Sequence, residues 1–227
     1  MLKRVTTMIA VLGVAAAIAG PSLAAGKAEE IVTKAQLSVE GMTKDEAIGP
    51  YVRRHLKNAK GVLIVPQMLK GAFGVGAEGG SGVLLVKDAK GTWSYPAFYT
   101  LGAVSLGLQI GGSASEVMLL LMTDRGVKAI VDGNRIKLGA DLGVAAGPVG
   151  GGAEAAVTLG SADVLVYSRS KGAYIGISLE GSVIEPRKSL NKEYYGAEVE
   201  SKPIVIDRKY SNAHATGLRS ALSKARQ

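Results

Sequence analysis

The chain of 227 residues is 47% hydrophobic and 20% charged, a composition typical of a globular protein with one domain. It has no cysteine, which excludes a disulfide framework and a lipid-modified cysteine anchor. The formal charge of +8 favours a polyanionic partner or an anionic membrane surface.

The first 24 residues have the three parts of a secretory signal peptide. Lys3 and Arg4 form a charged start, residues 8–19 are apolar, and Ser22 and Ala24 match a small-residue cleavage site. The apolar run is shorter than the roughly 18 residues that span a bilayer, which disfavours an uncleaved anchor. We therefore expect cleavage after Ala24 and an exported protein, either periplasmic or secreted.

Export also narrows the range of partners. Removal of Lys3 and Arg4 lowers the positive charge by only two, so the remaining chain stays basic. Nucleic acid is not expected as a partner of an exported protein, whereas anionic phospholipids match its charge. We expect peripheral association with a membrane surface. The sequence does not indicate an oligomeric state.

Two helices are predicted at the start of the mature chain. From Ala28 onward apolar residues recur at helical spacing, with charged residues between them. Thr43 and Glu46 match a capping box, which predicts the start of a second helix that extends past Leu56. Residues 27–60 are therefore predicted to form a helical lead-in.

Residues 61–200 are predicted to form a β-rich core, because short runs of Val, Ile and Leu alternate there with glycine clusters. A helix over 123–133 with Thr123 as its cap interrupts the strands. An amphipathic helix over 211–227 follows. The predicted fold class is mainly β with flanking helices (α+β), an antiparallel glycine-rich β-barrel or sandwich packed by N- and C-terminal helices, in a single domain over 25–227.

The stretch GVGAEG, residues 74–79, fits the G-x-G-x-x-G spacing of a dinucleotide-binding turn. Such a turn needs a helix directly after it and an acidic residue about 20 positions further on. Here residues 82–86 form a predicted strand, and residues 93–99 contain no Asp or Glu. We therefore interpret the glycines as a bend or a close strand contact, and we expect no nucleotide and no other cofactor.

The sequence shows no catalytic or metal-binding constellation. The two GGS stretches lack the final glycine of a nucleophile elbow, and the acidic residues are scattered singly. His55 and His214 lie in separate predicted helices, which argues against a zinc site, and His55 is predicted to face solvent. We expect a binding protein and no enzyme. A ligand carrier or enzyme with a cavity in the barrel, and an outer-membrane β-barrel, are the alternatives.

A basic cluster occurs in RRHLKNAK, at the end of the second predicted helix. Arg53, Lys57 and Lys60 recur at helical spacing, and Arg54 is adjacent. Each exposed cation near an anionic surface contributes about 1 kcal/mol to binding. An ordinary solvated helix face is the competing interpretation. We predict Arg53, Arg54, Lys57 and Lys60 as lipid-binding residues, with Lys70 as a further member.

Several different short motifs occur along the chain, and their order is more informative than any one of them. They are Ala59-Lys60-Gly61, Lys70-Gly71, Gly79-Gly80-Ser81-Gly82, Trp93-Ser94 with Pro96, Gln109-Ile110-Gly111, SLEG (178–181) and Tyr194-Tyr195-Gly196. In this order they resemble the SYLF domain family, lipid-binding modules of bacterial exported proteins and eukaryotic endocytic proteins. The resemblance covers roughly residues 30–200.

The resemblance implies a single β-rich domain with flanking helices that binds phospholipids, with phosphoinositides favoured in eukaryotic members. It also implies membrane contact through a basic segment ahead of the core, the place that residues 31–60 occupy here. Some eukaryotic members bind and bundle actin and carry a further interaction module. Because this chain has an export signal and no second module, we expect neither actin nor phosphoinositides as native partners.

Overall fold

The structure is a computed structural model that describes residues 26–73, 75–106, 111–147, 162–170, 173–174 and 179–226. The predicted signal peptide and the residues Gln109 and Ile110 of the family motifs lie outside the described residues. Within the described ranges, no helix combines the length and the apolar character needed to cross a bilayer.

The described helices confirm the predicted lead-in, the helix after residue 123 and the C-terminal helix. They are α1 (Lys27–Lys44), α2 (Gly49–Asn58), α3 (Asp124–Asp132), α4 (Lys188–Tyr195), α5 (Ser201–Val205) and α6 (Thr216–Ala225), the last preceded by a 3-10 turn (Ala213–Ala215).

The strands form one antiparallel sheet, apart from a single parallel pair. They are β1 (Gly61–Phe73), β2 (Val75–Val86), β3 (Ala97–Leu106), β4 (Gly111–Leu121), β5 (Ile136–Lys137), β6 (Val144–Ala146), β7 (Val164–Ser170), β8 (Ala173–Tyr174) and β9 (Val183–Pro186). Their order is β5-β9-β3-β2-β1-β4-β7-β6, with β8 paired to β7, and β6 runs parallel to β7.

The sheet is curled into a half-barrel with helices packed against it. This confirms the predicted fold class of strands with flanking helices. Of the two predicted forms, the barrel is the nearer one, because the strands belong to one curled sheet and not to two stacked sheets.

Helices cover the central strands on both faces. On β1, Val62 and Ile64 belong to the core under α1, α2 and α6, whereas Leu63 and Val65 belong to the core under α3 and α5. Successive side chains of a strand point to opposite faces, so both sets are buried. This two-sided burial explains why the central strands are continuous apolar runs without the polar alternation of a half-exposed strand.

The start of the second helix differs from the predicted capping box. Thr43 lies inside α1, where its hydroxyl donates to the Val39 carbonyl at 2.7 Å. The Asp45 carboxylate instead accepts from the backbone N–H of Ile48 at 3.1 Å. At α3, the predicted cap is confirmed, because the Thr123 hydroxyl accepts from the Gly126 N–H at 3.0 Å.

A β-bulge in β1 accounts for two of the glycines of β2, Gly80 and Gly82. Ile64 pairs with Val83 and Leu69 with Gly79, so β1 contains one more residue than β2 between these pairs. The extra residue falls at Pro66–Gln67, which accommodates a proline in a central strand.

The bulge brings β1 against the backbone of β2. A Cβ added at Gly82 would collide with the Ile64 carbonyl, and one at Gly80 with the Gln67 carbonyl. Gly80 and Gly82, which directly follow the GVGAEG stretch, therefore permit close strand contact. Residues 75–79 of that stretch lie within β2, where Gly79 makes no such close contact.

We predict that Gly82→Ala lowers the free energy of unfolding by about 1–3 kcal/mol, because the added methyl meets backbone and not a flexible side chain. Gly79→Ala is the matched control, since its Cβ would lie 3.6 Å from the Leu101 carbonyl oxygen, an ordinary contact. Urea unfolding of both variants gives the comparison. Equal stability of the two variants would contradict the close-contact explanation.

Candidate anion-binding site

The four cations predicted on and after α2 are all solvent-exposed. Arg53 is turned toward α1, where its guanidinium donates to the Thr43 carbonyl. Lys57 and Lys60 instead border a cleft at the end of the helix. The predicted cluster is therefore divided, with Arg54 on the exposed helix surface between its two parts.

Lys70 does not join this cluster. It lies ten residues beyond Lys60, on β1, which corresponds to about 30 Å along an extended strand. There it pairs with Glu78 of β2 and Ser113 of β4. Lys70 is thus at the opposite end of the strand from the basic cleft.

The basic cleft is a cavity of about 620 Å³ where the ends of three strands meet. Gly61, at the start of β1, pairs with both Val86 and Leu121, at the ends of β2 and β4. This register places Lys60 beside Lys87, and the backbone N–H of Lys87 donates to the Lys60 carbonyl at 2.8 Å.

Cations outnumber acids around the cleft. The cations are Lys57, Lys60, Lys87, Lys90 and Arg226, and the acids are Asp88 and Asp124. Lys60 and Asp124 are 4.0 Å apart with both side chains more than half exposed, so this pair contributes little to stability. The cleft therefore has an excess of positive charge available to an anion.

Lys87 is partly buried and has a structural role. Its Nζ donates to the Lys57 carbonyl at 2.8 Å and the Leu56 carbonyl at 3.2 Å, at the negative end of the α2 dipole. It also lies 5.2 Å from the centre of the Trp93 ring. Burial, followed by the charges of Arg226 and Lys60, lowers the pKa of Lys87.

Sequence reasoning missed Lys87, Lys90 and Arg226. The hairpin pairing of the two predicted strands at 62–65 and 82–86 would have placed Lys87 beside Lys60. No sequence signal places Arg226, because its position depends on how α6 packs. Its guanidinium lies over the turn at Gly91, which has a φ of 79°.

His55 is buried, so the prediction that it faces solvent is wrong. Only 8% of its surface is exposed, and its Nδ1 lies 2.6 Å from the Tyr167 hydroxyl. The reason is that His55 falls on the inner side of α2, beside Leu56, and reaches β7. Burial, and secondarily the charge of Arg54, lowers the pKa of His55.

The described ranges contain no group of three or more His, Asp or Glu side chains placed to hold a metal ion. The two histidines are on separate elements, α2 and the 3-10 turn before α6. What the cleft offers chemically is positive charge, with no metal-ligand set or nucleophile and base pair among its lining residues.

Comparison with known proteins identifies the family. A family model described as "Las17-binding protein actin regulator" (Ysc84) matches residues 102–225, more than half of the chain. The chain belongs to the Ysc84 (SYLF) family. This confirms the resemblance found in the short motifs, and the match extends through α6, beyond the last of those motifs.

The similar family members are longer eukaryotic proteins. Protein YSC84 of Saccharomyces cerevisiae is 36% identical over 167 residues, 72% of this chain and 35% of that protein. SH3 domain-containing YSC84-like protein 1 of Bos taurus is 36% identical over 152 residues, 66% of this chain and 44% of that protein. The chain thus spans less than half the length of these relatives, whose names are not those of enzymes.

The expectation that excluded actin is wrong for this family. The matching family model is described as an actin regulator, and a further yeast relative, 36% identical over 167 residues, is named LAS seventeen-binding protein 3. The matched residues run from β3 to α6, within the domain itself. The match to a family described as an actin regulator therefore does not depend on any segment outside the matched residues.

We predict that folding stability falls as the pH drops below about 6.5, because the unfolded chain then takes up a proton on His55 that the folded chain resists. The pKa of His55 is lowered in the folded state, so its contribution is present above the unfolded pKa and is lost on acidification. In thermal unfolding, the melting temperature of His55→Asn should decrease less than that of the parent between neutral pH and about pH 5. An unchanged slope in His55→Asn would refute the assignment.

Proposed function

We propose that this protein is a non-enzymatic module that binds anionic phospholipid through the basic cleft. The observation that carries the proposal is the convergence of five cations, from three separate segments of the chain, on a cleft bordered by two carboxylates. Lys57 and Lys60 come from the end of α2, Lys87 and Lys90 from the turn after β2, and Arg226 from the end of α6.

Electrostatics favours a phosphate-bearing surface as the ligand. Each cation near an anionic membrane contributes about 1 kcal/mol, and the sum falls with ionic strength because exposed charges are screened. An approaching phosphate would also relieve the mutual repulsion of Lys60, Lys87 and Arg226. That repulsion contributes to the lowered pKa of Lys87.

The cleft is held in place before any ligand arrives. Lys87 ties the end of α2 to the sheet, Arg53 ties α2 to the end of α1, and His55 ties it to β7. A preorganised site loses less conformational entropy on binding than a flexible one. In this proposal Arg53 positions the helix, whereas Lys57, Lys60 and Lys90 contact the lipid.

Export is part of the same proposal. If residues 1–24 direct secretion, the cleft meets the anionic phospholipids of a bacterial envelope, and the protein is peripheral on that membrane. The basic character of the chain, with a formal charge of +8, supports this assignment.

We predict that the protein sediments with vesicles of phosphatidylglycerol and phosphatidylcholine but not with phosphatidylcholine alone. Lys57→Glu with Lys90→Glu should weaken binding at least about tenfold, because two cations are lost and two repulsive charges are added. Lys87 is left unchanged because it supports the fold.

The matched control is Lys70→Glu with Lys137→Glu, which changes the net charge equally at positions away from the cleft. This control should bind nearly as well as the parent. Its melting temperature is measured to confirm folding, because Lys70→Glu places a second carboxylate opposite Glu78. Equal losses in both double variants would show that binding follows net charge and would contradict the cleft. Equal, negligible binding of the parent to both vesicle types would refute the function.

The family match supports a second proposed activity, association with actin-related partners. It rests on the description of the family model over residues 102–225 and on the names of the relatives. We expect the protein to co-sediment with actin filaments at moderate salt. Retained binding by the Lys57→Glu, Lys90→Glu variant would place this activity on another surface, and absence of binding by the parent protein would contradict it.

A further inference from the structure

An apolar groove of about 440 Å³ lies beside the basic cleft, between α3, α5 and the end of β2. Its apolar lining consists of Val86, Val127, Val131 and Ile206. Ile206 is 43% exposed, which makes it one of three large hydrophobic side chains that stand out to solvent in the described part of the chain. The volume is within the range of small-molecule sites, roughly 300–1,000 Å³.

The groove and the cleft adjoin each other. Lys60, Lys87 and Asp124 line both cavities. An elongated ligand could therefore place a charged group among the cations of the cleft and an apolar group along α3.

The rim of the groove is also positively charged. Lys60, Lys87, Lys128 and Lys202 outnumber Asp124 and Asp132. The two ion pairs across the rim, Lys60 with Asp124 and Lys202 with Asp132, have N–O distances of 4.0 and 3.9 Å between largely exposed side chains. Such long, exposed ion pairs are weak, so a phosphate can replace Asp124 as the ion-pair partner of Lys60.

We propose that the groove holds one acyl chain of an anionic phospholipid whose phosphate lies in the basic cleft. This inference rests on the proposed function and deepens it, because it assigns a site for a single lipid in place of adhesion to a charged surface alone. The proposal rests on the three residues that the apolar groove shares with the cation-rich cleft, which place an excess of positive charge at one end of the groove. That combination matches an amphiphile with a phosphate head and a hydrocarbon tail.

The proposal predicts an affinity that depends on chain length in the absence of any membrane. The probes are glycerol phosphate and monoacyl glycerol phosphates with hexanoyl, octanoyl and decanoyl chains, titrated calorimetrically below the concentration at which they form micelles. Affinity should rise about two- to fourfold per methylene that enters the groove. If the affinity of the parent protein does not change with chain length, the proposal is refuted without any variant.

Two pairs of substitutions separate the groove from the cleft. Val131→Ser with Ile206→Ser should remove most of the dependence on chain length, whereas Leu37→Ser with Leu69→Ser, at the other two exposed hydrophobic positions, should keep it. Lys57→Glu with Lys90→Glu should lower affinity for every probe by a similar factor. Equal effects of the two serine pairs would overturn the groove assignment.

The failure of this inference is distinguishable from failure of the proposed function. Binding to anionic vesicles together with a flat dependence on chain length would leave surface binding standing and would overturn the acyl-chain site. Absence of binding both to anionic vesicles and to every soluble probe would overturn both.

Discussion

Burial of β1 on both faces and along both edges is the constraint on which the rest of the structure depends. β1 pairs with β2 and β4, while its side chains pack alternately under α1, α2 and α6 and under α3 and α5. Residues 61–65 of β1 have no exposed face, so helices are required on both sides of the sheet there, whereas Leu69 further along the strand is exposed. The bulge at Pro66–Gln67 then requires glycine at positions 80 and 82, because no side chain fits between the two strands there.

The pairing of β1 with β2 and β4 also brings the cations of the basic cleft together. Because β1 begins where β2 and β4 end, the polar residues that follow these apolar strands meet at one end of the sheet. Lys60 and Lys87 are brought side by side in this way, and α6 adds Arg226. The basic cleft and the apolar groove both lie at this end, where the helices of the two faces approach the strand ends.

Much of the fold and part of the candidate site followed from local pattern. Helical spacing predicted α1, α2 and α6, and the cap at Thr123 predicted the start of α3. The exposure of Lys57 also followed from helical spacing, whereas Lys60 is exposed beyond the end of α2 and not on the predicted helix. The prediction of a helix boundary failed where a residue suited both a helix cap and a helix interior. Thr43 is a residue type that favours helix caps, but it lies within α1, which extends to Lys44 with Met42 and Thr43 buried.

Residue pattern was sufficient for most of the elements, the excess of cations on α2 and the family, because each is encoded within short stretches of chain. Strand register and helix docking decided the remainder. They separated Lys70 from Lys60 by the length of β1, buried His55 against Tyr167, and brought Lys87 and Arg226 into the cleft. These relations join residues far apart in sequence, so they arise only when the sheet is paired and both faces are covered.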